Sequence, residues 1–326
     1  MANNSVKMTN AKVNKADEFY TTYEDIEKEM IFYKNQFKNK IIYCNCDDYT
    51  KSNFVKYFQD NFNELGLKEL IATSYNPNSD SEYYAYPENR GTYYLYNDQE
   101  TIISNTNGNG DFRAADCLEL LRKSDIVITN PPFSLFREYI ELVMLYNKKI
   151  IILGNVNGVT CKQVWPYFQE QKLWFGPSIS SGDRKFYVPD EYPLEAAGCG
   201  IDEDGRRYIK VKGVRWFTNM KSDLDKPFLE LTQKYTPEQY PLYDNYNAIE
   251  VSKTKDIPMD YDGVMGVPIT FLDKHCPEQF EIIGITSSFD KNAKIENLRT
   301  NPKHRNRSMI NGKELYARIL IKRKNK

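Results

Sequence analysis

The chain has 326 residues, of which 40% are hydrophobic and 27% charged, with 44 Lys or Arg against 45 Asp or Glu. That length carries one large domain or two unequal ones, and the composition excludes a disordered or fibrous protein. No apolar run approaches twenty residues and no leader-type segment opens the chain, so the expectation is a cytoplasmic protein with reduced thiols and no membrane span. Six cysteines are scattered, and only Cys44 and Cys46 are close. Their spacing is not that of a zinc site and both histidines are distant, so no metal is expected. Aromatic residues are abundant, with 25 Tyr and 17 Phe. Such a surplus suits stacking on bases, although much of it would be half-buried core. The net charge of −1 hides an asymmetry, because residues 291–326 hold 12 Lys or Arg against 2 Asp or Glu. A basic end beside a neutral whole fits a polyanion partner, and a solvated tail is the competing reading.

In chain order, residues 1–14 are polar. A helix is expected to open at Asp17-Glu-Phe-Tyr-Thr21, because Ile26, Met30, Tyr33 and Phe37 recur at helical spacing. Asp17 or Thr21 is its candidate cap. Lys40-Ile-Ile-Tyr-Cys-Asn45 reads as the first strand. Cys46, Asp47, Asp48 and Tyr49 follow, then Ser52, Asn53 and Phe54 at the head of a helix whose Phe54, Phe58, Phe62 and Leu65 share a face. A strand, an acidic turn and a helix opened by small polar residues is how doubly wound folds hold a nucleoside ligand. The glycine fingerprint of dinucleotide sites is missing, so a ligand without phosphates, such as S-adenosylmethionine, fits better. Residues 67–73 form a second strand, 92–104 a hairpin, 105–110 a loop and 114–122 a helix. Asp111 is a candidate acceptor for a ligand amine or, equally, a cap for that helix.

The most informative stretch is Ser124-Asp-Ile-Val-Ile-Thr-Asn-Pro-Pro-Phe-Ser134. Its continuous β-branched run reads as a strand covered on both faces. The strand ends at Asn130, Pro131, Pro132 and Phe133, where two prolines hold the backbone rigid. Ser134 is expected to cap a helix running to about residue 146. A polar side chain, a fixed carbonyl and an aromatic ring therefore stand at the carboxyl end of a strand, where ligands bind in open α/β sheets. The chemistry that needs them is methylation of an exocyclic amine. Its lone pair is conjugated into the base ring. Two acceptors on its hydrogens, the Asn130 oxygen and the Pro131 carbonyl, draw it towards a tetrahedral shape while Phe133 stacks on the base. This is positioning and electrostatics, without a titrating group. A merely proline-rich turn is the bland alternative, found in roughly one chain of this size in a hundred.

A strand over 149–155, a helix over 159–171 with Pro166 as a kink, and short strands over 173–175 and 185–188 complete an α/β domain with a mostly parallel sheet, residues 1–189. Beyond Pro189 the text turns to loops and short strands, so residues 190–326 read as a second module of irregular β structure. It includes an alternating strand over 314–322.

Several of these stretches together resemble one family. Asp-Glu-Phe-Tyr-Thr (17–21), Tyr-Cys-Asn-Cys-Asp-Asp (43–48), Ser-Asn-Phe (52–54), Gly-Asp-Phe-Arg (110–113), Lys-Ser-Asp-Ile-Val-Ile-Thr-Asn-Pro-Pro-Phe-Ser-Leu-Phe (123–136) and Gly-Val-Met-Gly-Val-Pro-Ile-Thr-Phe-Leu (263–272) are similar to the EcoRI-type adenine-specific DNA methyltransferases. Two places depart from the pattern. Ser252 stands where the family has Asn before Lys-Thr-Lys-Asp-Ile-Pro, and Tyr49 stands where proline is usual in methyltransferases, with no glycine in that loop. The resemblance implies a class I S-adenosylmethionine-dependent methyltransferase domain, Rossmann-like, followed by a C-terminal β-rich target-recognition module. S-adenosyl-L-methionine would donate its methyl group to N6 of an adenine flipped out of double-stranded DNA. Phe19, Tyr20 and Thr21 would hold the methionine end of the cofactor. Asp47, Asp48, Ser52, Asn53 and Phe54 would form its first-strand loop, with either acid as the ligand, and Asp111 and Phe112 would meet its adenine. Asn130, Pro131, Pro132 and Phe133 would be catalytic, with Phe186 a second aromatic against the base. Lys253, Lys255, Lys303, Arg305 and Arg307 would contact phosphates. Arg206, Arg207, Arg215 and Asn219 are candidates for reading bases. A monomer is expected, working beside a cognate restriction endonuclease. The same motif also serves RNA bases or glutamine amides, and loss of cofactor binding would leave a DNA-binding regulator. A nicotinamide dehydrogenase is disfavoured by the absent glycine fingerprint.

Overall fold

The structure, a computed structural model, describes residues 19–76, 86–190, 192–195, 197–224, 226–287 and 307–324. Strand β1 (Tyr20–Thr21) leads into helix α1 (Tyr23–Met30), and β2 (Ile41–Cys44) into α2 (Asn53–Asp60) and α3 (Phe62–Leu65). Then come β3 (Glu69–Ser74), β4 (Thr92–Tyr96), β5 (Thr101–Asn105), α4 (Ala115–Lys123), β6 (Ile126–Thr129), α5 (Phe136–Leu145) and β7 (Lys149–Asn155). Helix α6 (Trp165–Gln169) precedes β8 (Trp174–Phe175), β9 (Asp183–Tyr187), β10 (Gly200–Ile201), β11 (Arg207–Lys212) and β12 (Val214–Thr218). The remainder is β13 (Ala248–Glu250), β14 (Val264–Pro268), β15 (Phe280–Ile285), β16 (Met309–Ile310), β17 (Lys313–Glu314) and β18 (Arg318–Arg323). None of the described helices is long and apolar enough to cross a membrane.

The chain divides into two compact units, each assembled from two segments. The first takes the residues up to Asn155 together with Gly176–Asp223, and the second takes Val156–Phe175 together with Leu224–Lys326. In the first unit the main sheet runs β5-β4-β3-β2-β6-β7-β12. The four strands β3, β2, β6 and β7 are parallel, β4 and β12 run against them, and β5 runs against β4. Both faces are covered, as the unbroken apolar strands require. Ile42, Cys44, Ile126, Ile128, Ile151 and Leu153 share one core with Ile26, Met30, Phe54, Phe58 and Trp216. The alternate residues Tyr43, Val127, Ile150 and Ile152 are equally buried on the other face. Helix α5 lies on that side, its Tyr139 hydroxyl donating to the Asn45 side-chain oxygen at the end of β2. Gly154 of β7 admits the Phe136 ring, which a Cβ at that position would meet at 2.3 Å. That contact fixes where α5 begins after the Asn-Pro-Pro-Phe turn.

A smaller antiparallel sheet, ordered β1-β9-β11-β10, also belongs to the first unit. Tyr20 pairs with Tyr187 and Thr21 with Phe186. The returning segment is tied to α1 by Glu29, a buried carboxyl that accepts from the Ser178 backbone N–H at 2.9 Å and the Tyr33 hydroxyl at 2.8 Å. The second unit is organised around the sheet β13-β14-β18-β15. Arg318 grips the buried Glu250 carboxylate with Nη2 at 2.8 Å and Nε at 3.1 Å, and Tyr243 donates to the same group.

Several expectations change. The opening segment is not helical from residue 17. Phe19 to Thr21 is extended, and Thr22 caps α1 by accepting from the Asp25 N–H at 3.3 Å, while Asp17 lies outside the described residues. Pairing with β9 outweighs the helical periodicity there. Ser134 does not occupy the cap position of α5: it lies within the 3-10 turn Phe133–Leu135, and α5 starts at Phe136 behind Leu135. The helix expected over 159–171 shrinks to α6, with Pro166 in its first turn where proline is tolerated. The strand expected over 314–322 splits. β17 ends at Glu314, and β18 buries Ile319, Leu320 and Ile321 in succession rather than alternating. The single break expected at residue 189 is not where the units part, since β11 pairs with β9 and β12 with β7.

The folding consequence is testable. A chain ended after Pro189 loses β12, and with it the fully buried Trp216 and Phe217. Removing one such side chain costs about 3–5 kcal/mol, and a whole strand exceeds the stability of an ordinary domain. Urea titration of the truncated chain should show no cooperative transition. A sharp transition near that of the full chain would contradict the assignment of β12 to the first core.

Candidate active site

The strand order reverses between β2 and β6, with β3 on one side of β2 and β6 and β7 on the other. The loops leaving the carboxyl ends of those two strands therefore diverge and leave a crevice, where open α/β sheets bind ligands. Asp47 sits in it. Its backbone N–H donates to the Thr73 carbonyl at the end of β3 at 2.9 Å. Its carboxylate, 8% exposed, accepts from the Ser52 hydroxyl at 2.6 Å and from the Thr129 hydroxyl. Ser52 in turn caps α2, accepting from the Phe54 N–H at 3.1 Å and more loosely from that of Val55. One carboxylate thus joins the first strand, the second helix and the last residue of β6. Burial pushes its pKa up to about 6, and the hydrogen bonds from Ser52 and Thr129 offset only part of the rise. Asp48 has a different task, its Oδ1 accepting from the Thr50 N–H at 2.9 Å and hydroxyl at 2.7 Å. That local turn shapes the loop without glycine.

Thr129 hands the chain to Asn130. The Asn130 Nδ2 donates to the Phe19 carbonyl at 2.7 Å. A carbonyl only accepts, so the amide must face β1 with its nitrogen and present its oxygen elsewhere. That Oδ1 is buried and has no hydrogen-bond partner among the described residues. Leaving an acceptor so costs about 1–3 kcal/mol, a cost that makes sense where a donor arrives with the substrate. The turn is held by the Leu135 N–H donating to the Pro132 carbonyl at 2.9 Å. Phe133 is half-buried beside it, edge-on to Phe19 at 5.6 Å and to Phe186 at 6.3 Å. Phe186 is 1% exposed and also meets Phe19 at 6.1 Å, so it forms the back of the aromatic group rather than its open face.

Two further polar atoms in this region are buried without partners among the described residues, the Thr21 Oγ1 and the Asn45 Nδ2. Orphaned groups on neighbouring loops mark a place completed by a ligand more readily than a packing accident. Neither Asn45 nor Thr129 stands out in the sequence. Thr129 ends an apolar strand and Asn45 directly follows one, and the signal in each case is a polar side chain at that position.

The family model for the adenine-specific methyltransferase EcoRI matches residues 7–324. The chain belongs to this family. It is 47% identical to the type II methyltransferase M.EcoRI of Escherichia coli, over 96% of this chain and 95% of that one. The type II methyltransferases M.MgeORF184P of Mycoplasma genitalium and M.MpnI of Mycoplasma pneumoniae are each 38% identical, over 96% of this chain and 97% of theirs. No solved structure matches it.

The remaining candidate residues of this methyltransferase fall into place or out of it. Tyr20 lies in β1, and Asn53 opens α2 and donates to the Thr21 carbonyl at 2.7 Å. Phe54 is core, 2% exposed and edge-on to Trp216 at 6.0 Å. Gly110, at φ +77°, lets its loop touch the Ser74 carbonyl at the end of β3, leaving no room for a Cβ. This brings Asp111 and Phe112 to that end of the sheet. Phe112 is buried edge-on to Tyr139 at 5.1 Å. Asp111 is not a helix cap, because Ala114 holds that position. Its carboxylate is held by Arg113 through Nε at 2.9 Å and Nη2 at 2.6 Å, and Arg113 continues to Glu138 at 3.0 Å. Burial raises the Asp111 pKa, but the Arg113 hydrogen bonds and charge outweigh it and hold the group below its ordinary range.

Among the base-reading candidates, Arg215 is 3% exposed and donates to the Ser180 and Val214 carbonyls. Asn219 bonds the Ile150 N–H and the Lys148 carbonyl. Both therefore serve the first core. Arg206 pairs with Asp202 and Asp204, and Arg207 donates to the Tyr192 carbonyl. In the second unit Lys253 and Lys255 are exposed around a 3-10 turn, while Arg307 pairs with Glu314 at 2.9 Å. Lys303 and Arg305 lie outside the described residues.

The raised Asp47 gives a signed prediction. Its folded pKa of about 6 exceeds the ordinary 3.8, so the folded state favours the protonated form. Its contribution to stability is complete below pH 4 and lost as the pH rises through 6. Asp47→Asn cannot ionise. Relative to wild type, it should gain on the order of 2–3 kcal/mol between pH 4 and pH 7, read from urea unfolding without ligand. A pH-independent difference would refute the buried, ionisable assignment.

Proposed function

We propose that this methyltransferase acts on DNA in a sequence-specific manner, carrying the methyl group of S-adenosyl-L-methionine to N6 of an adenine extruded from the duplex. The observation that carries the reading is the buried, unpartnered Oδ1 of Asn130, oriented by the Phe19 carbonyl and set beside a half-buried aromatic ring. In this reading the first unit is a class I methyltransferase domain, and the crevice between β2 and β6 holds the cofactor. The donor set fits that group. Asp47 offers a carboxylate to its ammonium, Thr21 and Asn45 offer a hydroxyl and an amide nitrogen without partners among the described residues, and Phe112 and Asp111 lie at the end of β3 for its adenine. When bound, the cofactor supplies a methyl group on a sulfonium, whose positive charge makes it a good leaving centre.

The chain's own residues prepare the acceptor. A duplex adenine must leave the stack, at a cost of a few kcal/mol, before its amine is reachable. Phe133 receives the base by stacking. Asn130 Oδ1 and the Pro131 carbonyl accept its two amine hydrogens and favour the tetrahedral shape that frees the lone pair. Neither acceptor is a base at neutral pH, so the contribution is electrostatic and geometric. Phe186 backs Phe133 and keeps its ring from turning away. Lys253, Lys255 and Arg307, with Lys303 and Arg305, would supply phosphate contacts, which position the duplex and give a salt-dependent affinity. One chain holding catalysis and recognition works as a monomer within a restriction–modification system.

Methyl incorporation from labelled S-adenosylmethionine into unmethylated plasmid, with long-read mapping of the modified base, tests the reading. Modified adenine at one short motif is expected. Methyl groups appearing instead on RNA or protein would overturn it. Asn130→Ala should lower turnover by about 100-fold or more. Affinity for S-adenosylhomocysteine, measured by calorimetry, should stay within about three-fold of wild type, because the lost oxygen serves the acceptor. Turnover within a few-fold of wild type would remove Asn130 from the mechanism.

A further inference from the structure

Two asparagines grip the same short strand. Asn53 Nδ2, at the first position of α2, donates to the Thr21 carbonyl at 2.7 Å. Asn130 Nδ2, at the end of β6, donates to the Phe19 carbonyl at 2.7 Å. The two carbonyls are two residues apart, one in β1 and one just before it, and no hydrogen bond joins the two asparagines to each other among the described residues. Strand β1 is two residues long and, among the described residues, lies at the edge of its sheet and pairs only with β9. So short an edge strand is weakly held by its ladder, and a side-chain clamp on its carbonyl decides its place.

We infer that Asn53 is a positioning residue for methyl transfer. It fixes β1, β1 fixes the Phe19 carbonyl, and that carbonyl selects the Asn130 orientation that leaves Oδ1 open. The inference rests on the proposed role of Asn130 and assigns Asn53 away from direct cofactor contact. It has a physical corollary. The residue that opens the cofactor-side helix and the residue that meets the acceptor amine are linked through one tripeptide, so a shift of α2 displaces the acceptor oxygen. Misplacing a reacting group by about 1 Å can cost on the order of 100-fold in rate.

Asn53→Asp separates positioning from the alternatives. The substitution is isosteric, and a carboxylate in the first turn of a helix is electrostatically favourable, so the fold is retained. It replaces the donated N–H with an acceptor facing a carbonyl, which breaks the clamp. In the full-length protein the turnover number should fall about 10- to 100-fold, with affinity for S-adenosylhomocysteine within about three-fold and an unchanged or higher Tm. A second readout is independent of activity. With selective 15N-asparagine labelling, the side-chain amide resonances of Asn130, assigned by their absence in Asn130→Ala, should move in the ligand-free Asn53→Asp protein. Unmoved resonances with normal turnover would overturn the inference. So would a loss of cofactor affinity with turnover unchanged at saturating cofactor, which would make Asn53 a cofactor contact. Should wild type methylate no adenine, the functional reading fails by itself, and moved Asn130 resonances would still support the coupling.

Discussion

The first unit depends on a carboxylate placed where water cannot serve it. Asp47 stands at the point where the sheet reverses its order, and everything that leaves the neighbouring strand ends must accommodate its charge. Ser52 answers from the start of α2 and Thr129 from the end of β6, so the two loops that border the crevice are joined through one side chain. The raised pKa of this group shows that two hydroxyls do not replace full hydration. A cation arriving in the crevice would remove the deficit, and the strain stored at Asp47 would become affinity. Ligand sites are commonly built from such unfinished business, with polar groups left short of partners until the ligand completes them. Asn130 repeats the pattern a few residues away. Its nitrogen is satisfied internally and its oxygen is not.

The legible parts of this chain were those governed by local chemistry. The strand over Ile126–Thr129 and the rigid turn at Asn130 to Phe133 could be read because β-branched continuity and paired prolines act on their own residues. The hairpin of β4 and β5, the helix over Ala115–Lys123 and the run at β7 followed from the same local rules. What stayed hidden was set by partners distant in sequence. Tyr20 and Thr21 fall where a helix was expected to open, yet they are extended because β9, more than 160 residues on, pairs with them. Phe54 and Phe112 belong to recognised motifs, but their rings fill the core beside Trp216 and Tyr139. A motif position names a neighbourhood, while the direction of the side chain is decided by packing. Arg215 and Asn219 teach the same lesson, since polar residues in a stretch that reads as a binding module turn out to satisfy backbone groups of the main sheet.

The division of the chain was the least visible feature. Loop-rich text after Pro189 suggested a change of domain, because short strands and frequent glycine look alike whether they close one core or open another. One strand of the first sheet, β12, comes from that text, and the segment 156–175 goes to the other unit. The backbone therefore passes from one unit to the other after Asn155, Phe175 and Asp223.

Those three crossings constrain how the protein is made. During synthesis the first unit cannot close when its parallel strands emerge, because β12 and the small sheet around β9 are still inside the ribosome. Segment 156–175 leaves the tunnel early and has no home until residues beyond 224 follow it. The nascent chain thus carries two unfinished cores at once, and each waits for sequence that lies past a piece of the other. The same interleaving bears on inheritance. A crossover at one site cannot graft a foreign second unit onto this first one, since it would bring a mismatched 156–175 or leave the old one behind. Replacing the second unit as a whole takes exchanges that renew two separate stretches together.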